Sequence, residues 1–501
     1  MQRIWEILPA TFTIGTILGF IAFAIFSPFY AAIAVIVFDT YWLLKTIYFY
    51  FHLQSTERQL QKNLKTDWME KLKSDPKTSS SWEDVYHLII LPMYKEPFLV
   101  IQESFEGLLK SNYPKDKMIV VLAQEARAGE TAAKNGEEIG KVYANKFYKF
   151  LITSHPADLP GEIPGKGSNE AWAAKEAKAR IVDPLGMDYE KIMVSVFDVD
   201  TQVAPEYFAI LTHAFLTSPH PQRSSYQPIP FFNNNIFDSP ALARVMAYST
   251  TFWGMMEQSR PEHLVTFSSH STPFKSLAEM GFWDTDVVSE DSHIFWQLFT
   301  HYNGDWRVVP LKYPVSMDVN VGPNLWETIR NLYKQQRRWA WGVENFPYIV
   351  KKFFLNRMIP LKSKLYRAYS EFSGTYSWGI SAILVSLGWL PVVLGGKAFN
   401  ETVLSYNLPH ITTYLMWIGS FGLFMSGFLT LAILPPKPEW FRARHYVFYF
   451  AQWVLMPATM IVLGALPAIE SQVRLALGGK FRLGFWVTPK SRKTAEVKIG
   501  V

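Results

Sequence analysis

The chain has 501 residues, is 49% hydrophobic and 16% aromatic, and carries a net charge of +6 with no cysteine. That length accommodates one large core plus membrane segments, and the lack of cysteine excludes disulfides, zinc–thiolate centres and thiol catalysis. The positive charge contains no Lys/Arg-rich run of the nucleic-acid type, so it fits the charge bias of a membrane protein and no nucleic-acid partner is expected.

Residues 7–38 contain no Asp, Glu, Lys or Arg. A helix needs about 20 apolar residues to span a bilayer. Ser27-Pro28 would divide the run at a tight turn, which predicts spans at about 8–26 and 29–51 and an N-terminal transmembrane hairpin over 1–52. A second apolar run follows at once and no small-residue cleavage site stands out, which argues against a signal peptide. Asp39 falls within the second span, where a charge facing lipid is costly, so it is expected to face other helices or water in a structural role. Over 53–84, Leu53, Leu60, Leu64, Trp68 and Leu72 form a helical stripe among Arg58, Lys62, Lys65, Lys71 and Lys73. The pattern predicts a basic interfacial helix, then a polar linker at 75–81.

Over 85–345, short apolar runs alternate with longer polar, helix-like segments. The runs are His87–Leu91, Met118–Ala123, Phe147–Thr153 and Ile192–Phe197. This alternation predicts βαβ units and a mostly parallel sheet. An aromatic stretch punctuated by Lys351, Lys352, Arg357, Lys362, Lys364 and Arg367 predicts interfacial helices over 346–371. Within 372–470 the runs 372–396, 402–436 and 446–469 are uncharged, and residues 471–501 form a basic tail.

Six motifs lie in this frame. LPMYKEP (91–97) ends the first strand. GKGSN (165–169) is a Gly-rich loop opening a helix, a geometry that lets backbone approach phosphates, although a flexible loop with a helix cap has the same look. Asp198-Val199-Asp200 follows the Ile192–Phe197 strand. In open α/β sheets ligands bind beyond the carboxyl ends of strands, and two carboxylates there suit a hard cation such as Mg²⁺ or Mn²⁺ that bridges phosphate oxygens. A lone D-x-D is otherwise a common surface turn. Ser289-Glu290-Asp291 opens a helical pattern with Ser289 as the N-cap; this is ordinary helix-start chemistry, or else Asp291 is a general base. Gln335, Arg338 and Trp339 form Q-x-x-R-W on a helix; a guanidinium can grip a pyrophosphate and an indole can floor a sugar, or the two are a surface arginine and an interfacial tryptophan. Phe485-Trp486-Val487-Thr488-Pro489-Lys490 lies in the basic tail. His270 and His293 lack metal-ligand spacing and are expected to be structural or pocket-lining.

In this order the series resembles the processive family 2 glycosyltransferases, the cellulose, chitin and hyaluronan synthases, over about Leu91 to Lys490. The tail is similar to the F-x-V-T-x-K gating loop of cellulose synthases through Phe485, Val487, Thr488 and Lys490. The resemblance implies a GT-A fold, a Rossmann-like cytosolic α/β domain flanked by transmembrane and interfacial helices, in the plasma or inner membrane. It implies inverting transfer of a sugar from a UDP- or GDP-sugar to a growing β-linked polysaccharide, with Mg²⁺ or Mn²⁺. By position, Pro92, Tyr94 and Glu96 would line the nucleoside pocket, and Lys166 would lie near the donor. Asp198 and Asp200 would bind nucleotide and metal, and Asp291, beside Glu290, would be the base. Gln335, Arg338 and Trp339 would hold donor phosphates and the acceptor end, and Thr488 and Lys490 would close over the diphosphate.

Two departures stand out. The family's base-contacting Asp after the second strand is replaced by Ala123-Gln124-Glu125, so Glu125, with Gln124 as the alternative, is expected in its place. The chain ends soon after the gating-loop motif, which motivates the alternative of a single transfer to a lipid or lipid-carrier acceptor. A transporter without chemistry is disfavoured because the motifs lie off the spans. Cytosolic placement of both block and tail demands an even number of crossings. Run 446–469, broken by Pro457 and Pro467, is therefore expected to be re-entrant or interfacial, with either of the other two runs as the alternative.

Overall fold

The computed structural model describes residues 2–489. Two compact units share the chain: a sheet unit of Thr56–Leu332, Leu355–Pro360 and the segment from Gly484, and a helical unit of the chain up to Ser55, Tyr333–Phe354 and Leu361–Leu483.

Among the described residues, the sheet unit is built on eight strands: β1 (Tyr86–Met93), β2 (Met118–Glu125), β3 (Lys149–His155), β4 (Ile192–Val196), β5 (Gln202–Val203), β6 (Ser224–Phe232), β7 (Ser271–Pro273) and β8 (Arg307–Met317). Their order is β3-β2-β1-β4-β7-β6-β8-β5. The four apolar runs of the sequence become β1 to β4, all parallel. Residues of β2 are buried throughout because both faces are covered, whereas β3, at the edge, alternates buried with open positions. Beyond β4 the sheet turns mixed: β7 pairs antiparallel with β4 and β6, and β5 antiparallel with β8. The strand order reverses direction at β1, whose neighbours are β2 and β4, and that switch point opens a crevice at the carboxyl ends of the strands.

The stripe predicted as interfacial meets a different fate. Its second half is core: Trp68, Met69 and Leu72, on the helix Trp68–Ser74, pack with Ile89, Phe105 and Tyr207 in the main cluster of the sheet unit. Asn63 donates to the Leu311 and Lys312 carbonyls of β8, 3.2 and 3.0 Å away, which holds the segment just before Trp68 to the sheet of the same unit. Trp68 and Leu72 are thus covered within the sheet unit, while Leu64 stays 44% exposed.

Among the described residues, four helices are long and apolar enough to cross a membrane: Gln2–Phe26, Pro28–Leu64, Val403–Ala432 and the succession Ala443–Leu477. The Ser27-Pro28 break falls where the sequence put it. Run 446–469, expected to be re-entrant or interfacial, lies inside the fourth of these by length and composition; Pro457 and Pro467 sit at first-turn positions of short helical pieces and do not end the run. Run 372–396 does not form one long helix, since the helix Leu361–Ser386 stops and a short helix, Leu390–Leu394, follows. Asp39 is 3% exposed within the helical unit.

Candidate active site

The helix Lys166–Ala177 starts at the crevice. Asn169 donates from Nδ2 to the Ala123 carbonyl of β2 at 2.7 Å, which docks its first turn against the sheet. The helix Glu290–His301 starts beside it. A Cβ on Gly167 would lie 2.9 Å from Glu290 Cβ, so glycine is what lets the two helix starts approach.

Lys166 is 8% exposed and its ammonium is the hub of the site. Nζ donates to both carboxylate oxygens of Asp291, at 2.7 and 2.9 Å, and lies 3.0 Å from Asp198 Oδ1. Glu170 and Glu290 stand 3.6 Å away. Burial works against the ammonium, but Asp198, Asp291, Glu170 and Glu290 outweigh it and hold Lys166 well above the ordinary lysine range. Glu170 is fully buried; burial, only partly offset by Lys166 and reinforced by the surrounding carboxylates, pushes its acid well above the ordinary carboxylate range. Sequence reasoning passed over Glu170. Its spacing, one helical turn after Lys166 on the same face, is the signal that would have found it.

The two aspartates of D-V-D are held differently. Asp198, 28% exposed at its side chain, accepts from the Ser268 hydroxyl at 2.9 Å as well as facing Lys166. Asp200 is fully buried and accepts the Asp318 backbone N–H at 2.9 Å. That second contact follows from the antiparallel pairing of β5 with the end of β8. His270, 1% exposed, lies 3.9 Å from Asp291; burial, countered only in part by Asp291, lowers it to about 4, so it stands beside the carboxylate as a neutral ring.

Residues at the ends of β1 and β2 form a second group. The Arg127 guanidinium pairs with Glu125 and lies over the Tyr94 ring, 4.9 Å from its centroid. Glu96 accepts the Tyr94 N–H at 2.7 Å, and Pro92 is half-buried in β1. Gln124 is committed elsewhere, donating to Ala132 O at 3.0 Å and filling the space beside Gly136. Of the two alternatives at that position, Glu125 is the one with its carboxylate among these residues.

From the tail, Phe485 packs on Gly165, and Thr488 is 8% exposed with no hydrogen-bonding partner for its hydroxyl among the described residues. Lys490 lies outside the described residues. Gln335, Arg338 and Trp339 fall on the helix Leu325–Ala340 and belong to the helical unit. There Glu470 accepts from Arg337 at 2.6 Å, Arg474 at 2.7 Å and Tyr333 at 2.8 Å. The neighbour of Arg338 is thus anchored to the last apolar helix.

Residues 193–468 match the family model described as Glycosyl transferase family group 2. Among curated proteins, the chain is 21% identical over 418 residues to the probable glycosyltransferase YdaM of Bacillus subtilis (strain 168), covering 82% of this chain and 86% of that one. It is 26% identical over 329 residues to the poly-beta-1,6-N-acetyl-D-glucosamine synthase of Staphylococcus aureus (strain COL), covering 64% of this chain and 65% of that protein's length. Among solved structures it is similar to the mannosyltransferase PcManGT from Pyrobaculum calidifontis in complex with GDP-Man and Mn²⁺, at 14% identity and a TM-score of 0.44, over 85% of this chain and 99% of that one. The family model spans more than half of the chain: this protein belongs to glycosyl transferase family group 2 and is a nucleotide-sugar-dependent glycosyltransferase.

Proposed function

We propose that the protein is a membrane-embedded inverting glycosyltransferase that adds sugar units from a UDP- or GDP-sugar to a growing β-linked polysaccharide, with its sheet unit in the cytosol. The observation that carries the reading is the Lys166 ammonium, 3.0 Å from Asp198 and 2.7 Å from Asp291. Carboxylates far apart in sequence thereby face one centre, as displacement at an activated sugar requires.

Donor binding falls to Pro92, Tyr94, Glu96 and Glu125 for the nucleoside, and to Lys166, Asp198 and Asp200 near the diphosphate. Among the described residues no group of three or more His, Cys, Asp or Glu side chains forms a cage for a metal. The pair Asp198 and Asp200 nevertheless fits Mg²⁺ or Mn²⁺ bound mainly through donor phosphates and water, since such cations need only one or two carboxylates. A cation so held would neutralise charge on the departing diphosphate. Asp291 takes the proton of the acceptor hydroxyl, and in-line attack inverts the anomeric centre without a covalent enzyme intermediate. Lys166 supplies fixed positive charge where the leaving oxygens gather negative charge. By the motif series, Gln335 and Arg338 contact donor phosphates, Trp339 the acceptor end, and Thr488 and Lys490 the diphosphate.

The test is a panel of UDP- and GDP-sugars with the purified full chain, following nucleoside diphosphate release and product mass with and without Mg²⁺ and Mn²⁺. A ladder of product lengths is expected. A single glycolipid would replace the polymer reading with transfer to a lipid acceptor, and turnover surviving Asp291→Asn would remove Asp291 as the base.

A further inference from the structure

Beside the D-V-D strand end lies a second short polar run, Asp318-Val319-Asn320, which leaves β8 directly. The segment is built with care. Asp318 N–H donates to Asp200 Oδ2 at 2.9 Å. Asn234 Nδ2 bridges the Asp200 carbonyl at 3.0 Å and Asp318 Oδ1 at 3.1 Å. Val319 is gripped at both ends of its backbone by Asn235, which accepts its N–H at 2.7 Å and donates to its carbonyl at 3.0 Å. A residue bonded like this at N–H and C=O is extended, so its neighbours 318 and 320 project to the same side, the side where Asp318 meets Asn234 and Asp200.

Asn320 is 4% exposed, and neither its Oδ1 nor its Nδ2 meets a hydrogen-bonding partner among the described residues. A buried carboxamide with both ends unmatched is costly in a folded protein and calls for an external partner. The amide presents one acceptor and two donors, the pattern that pairs with adjacent hydroxyl groups. A phosphate oxygen, being an acceptor only, would leave the Oδ1 unmatched.

We propose that Asn320 binds hydroxyl groups of a sugar ring at the active site, either the transferred sugar of the donor or the terminal sugar of the acceptor. This rests on the reading of Asp198 and Asp200 as the donor's acidic pair. Asn234 and Asn235 are then positioning residues that keep the 318–320 segment against Asp200.

The test uses the full chain in detergent with whichever of UDP-glucose, UDP-N-acetylglucosamine and GDP-mannose the wild type turns over. Asn320→Ala is compared with Asn320→Asp, which keeps the volume if the alanine variant fails to fold. A rise of about tenfold in the KM for the nucleotide sugar, with inhibition by the free nucleoside diphosphate unchanged, assigns the donor's sugar. A similar rise confined to the KM for a soluble oligosaccharide of the product assigns the acceptor's. Unchanged values for both, or equal weakening of nucleoside diphosphate inhibition, would overturn the proposal. A wild type inactive on all three donors counts against the proposed function; an active wild type with indifferent variants counts against Asn320 alone.

Discussion

The ring of Phe485 occupies the space that a side chain on Gly165 would need: a Cβ there would lie 2.5 Å from Phe485 Cγ. The backbone of Gly165 is extended, at φ 165°, so alanine is tolerated conformationally and the conflict is purely with the ring. Lys166, the next residue, carries the ammonium that joins Asp198 to Asp291. The tail therefore rests on the residue from which the hub of the site departs.

Gly165→Ala is expected to displace the Phe485 segment and lower kcat/KM by about tenfold, the scale of a mispositioned catalytic group. Combining it with Phe485→Ala removes the collision. Steady-state rates of the two single variants and the double variant check this: the double should lose less than the sum of the singles.

Lys166→Met leaves Glu170 and Glu290, 0% and 1% exposed, without the cation 3.6 Å away. Removing one partner from a buried ionic cluster costs about 3–5 kcal/mol. The thermal midpoint in detergent should fall accordingly, together with loss of transfer. Glu170→Gln, which keeps the side chain's shape and leaves the Lys166 ammonium in place, should cost far less.

Histidine 87 gives a pH signature. It is buried in β1, shares a 2.9 Å hydrogen bond with Thr212, and burial lowers it from 6.5 to about 3. Between those values the unfolded chain binds a proton that the folded chain refuses, so stability is full above about pH 6.5 and falls with pH by about 1.4 kcal/mol per unit. As the pH is lowered from 6.5 to 4, the unfolding midpoint of the wild type should fall steadily relative to that of His87→Leu.

Glu470→Ala strands Arg337 and Arg474 as neighbouring like charges and releases Tyr333. These groups are partly exposed, so the cost is on the order of 1–2 kcal/mol. If Arg338 and Trp339 act as proposed, transfer should weaken more than the thermal shift alone accounts for, and Glu470→Gln should recover part of it.

Local patterning of the chain was enough for β1 to β4, for the Ser27-Pro28 break and for an acidic pair just past a buried strand, because apolar period and turn chemistry act over a few residues. The Lys166–Glu170 pair was equally local and was there to be read. Only the tertiary structure decided that Trp68 and Leu72 face the sheet core, that β5 pairs with β8 so that Asp318 supports Asp200, and that Phe485 seats on Gly165. Each of these joins segments remote in sequence. Their pairing is set by which surfaces remain to be covered once the rest of the chain has packed, and no periodicity within either partner encodes that.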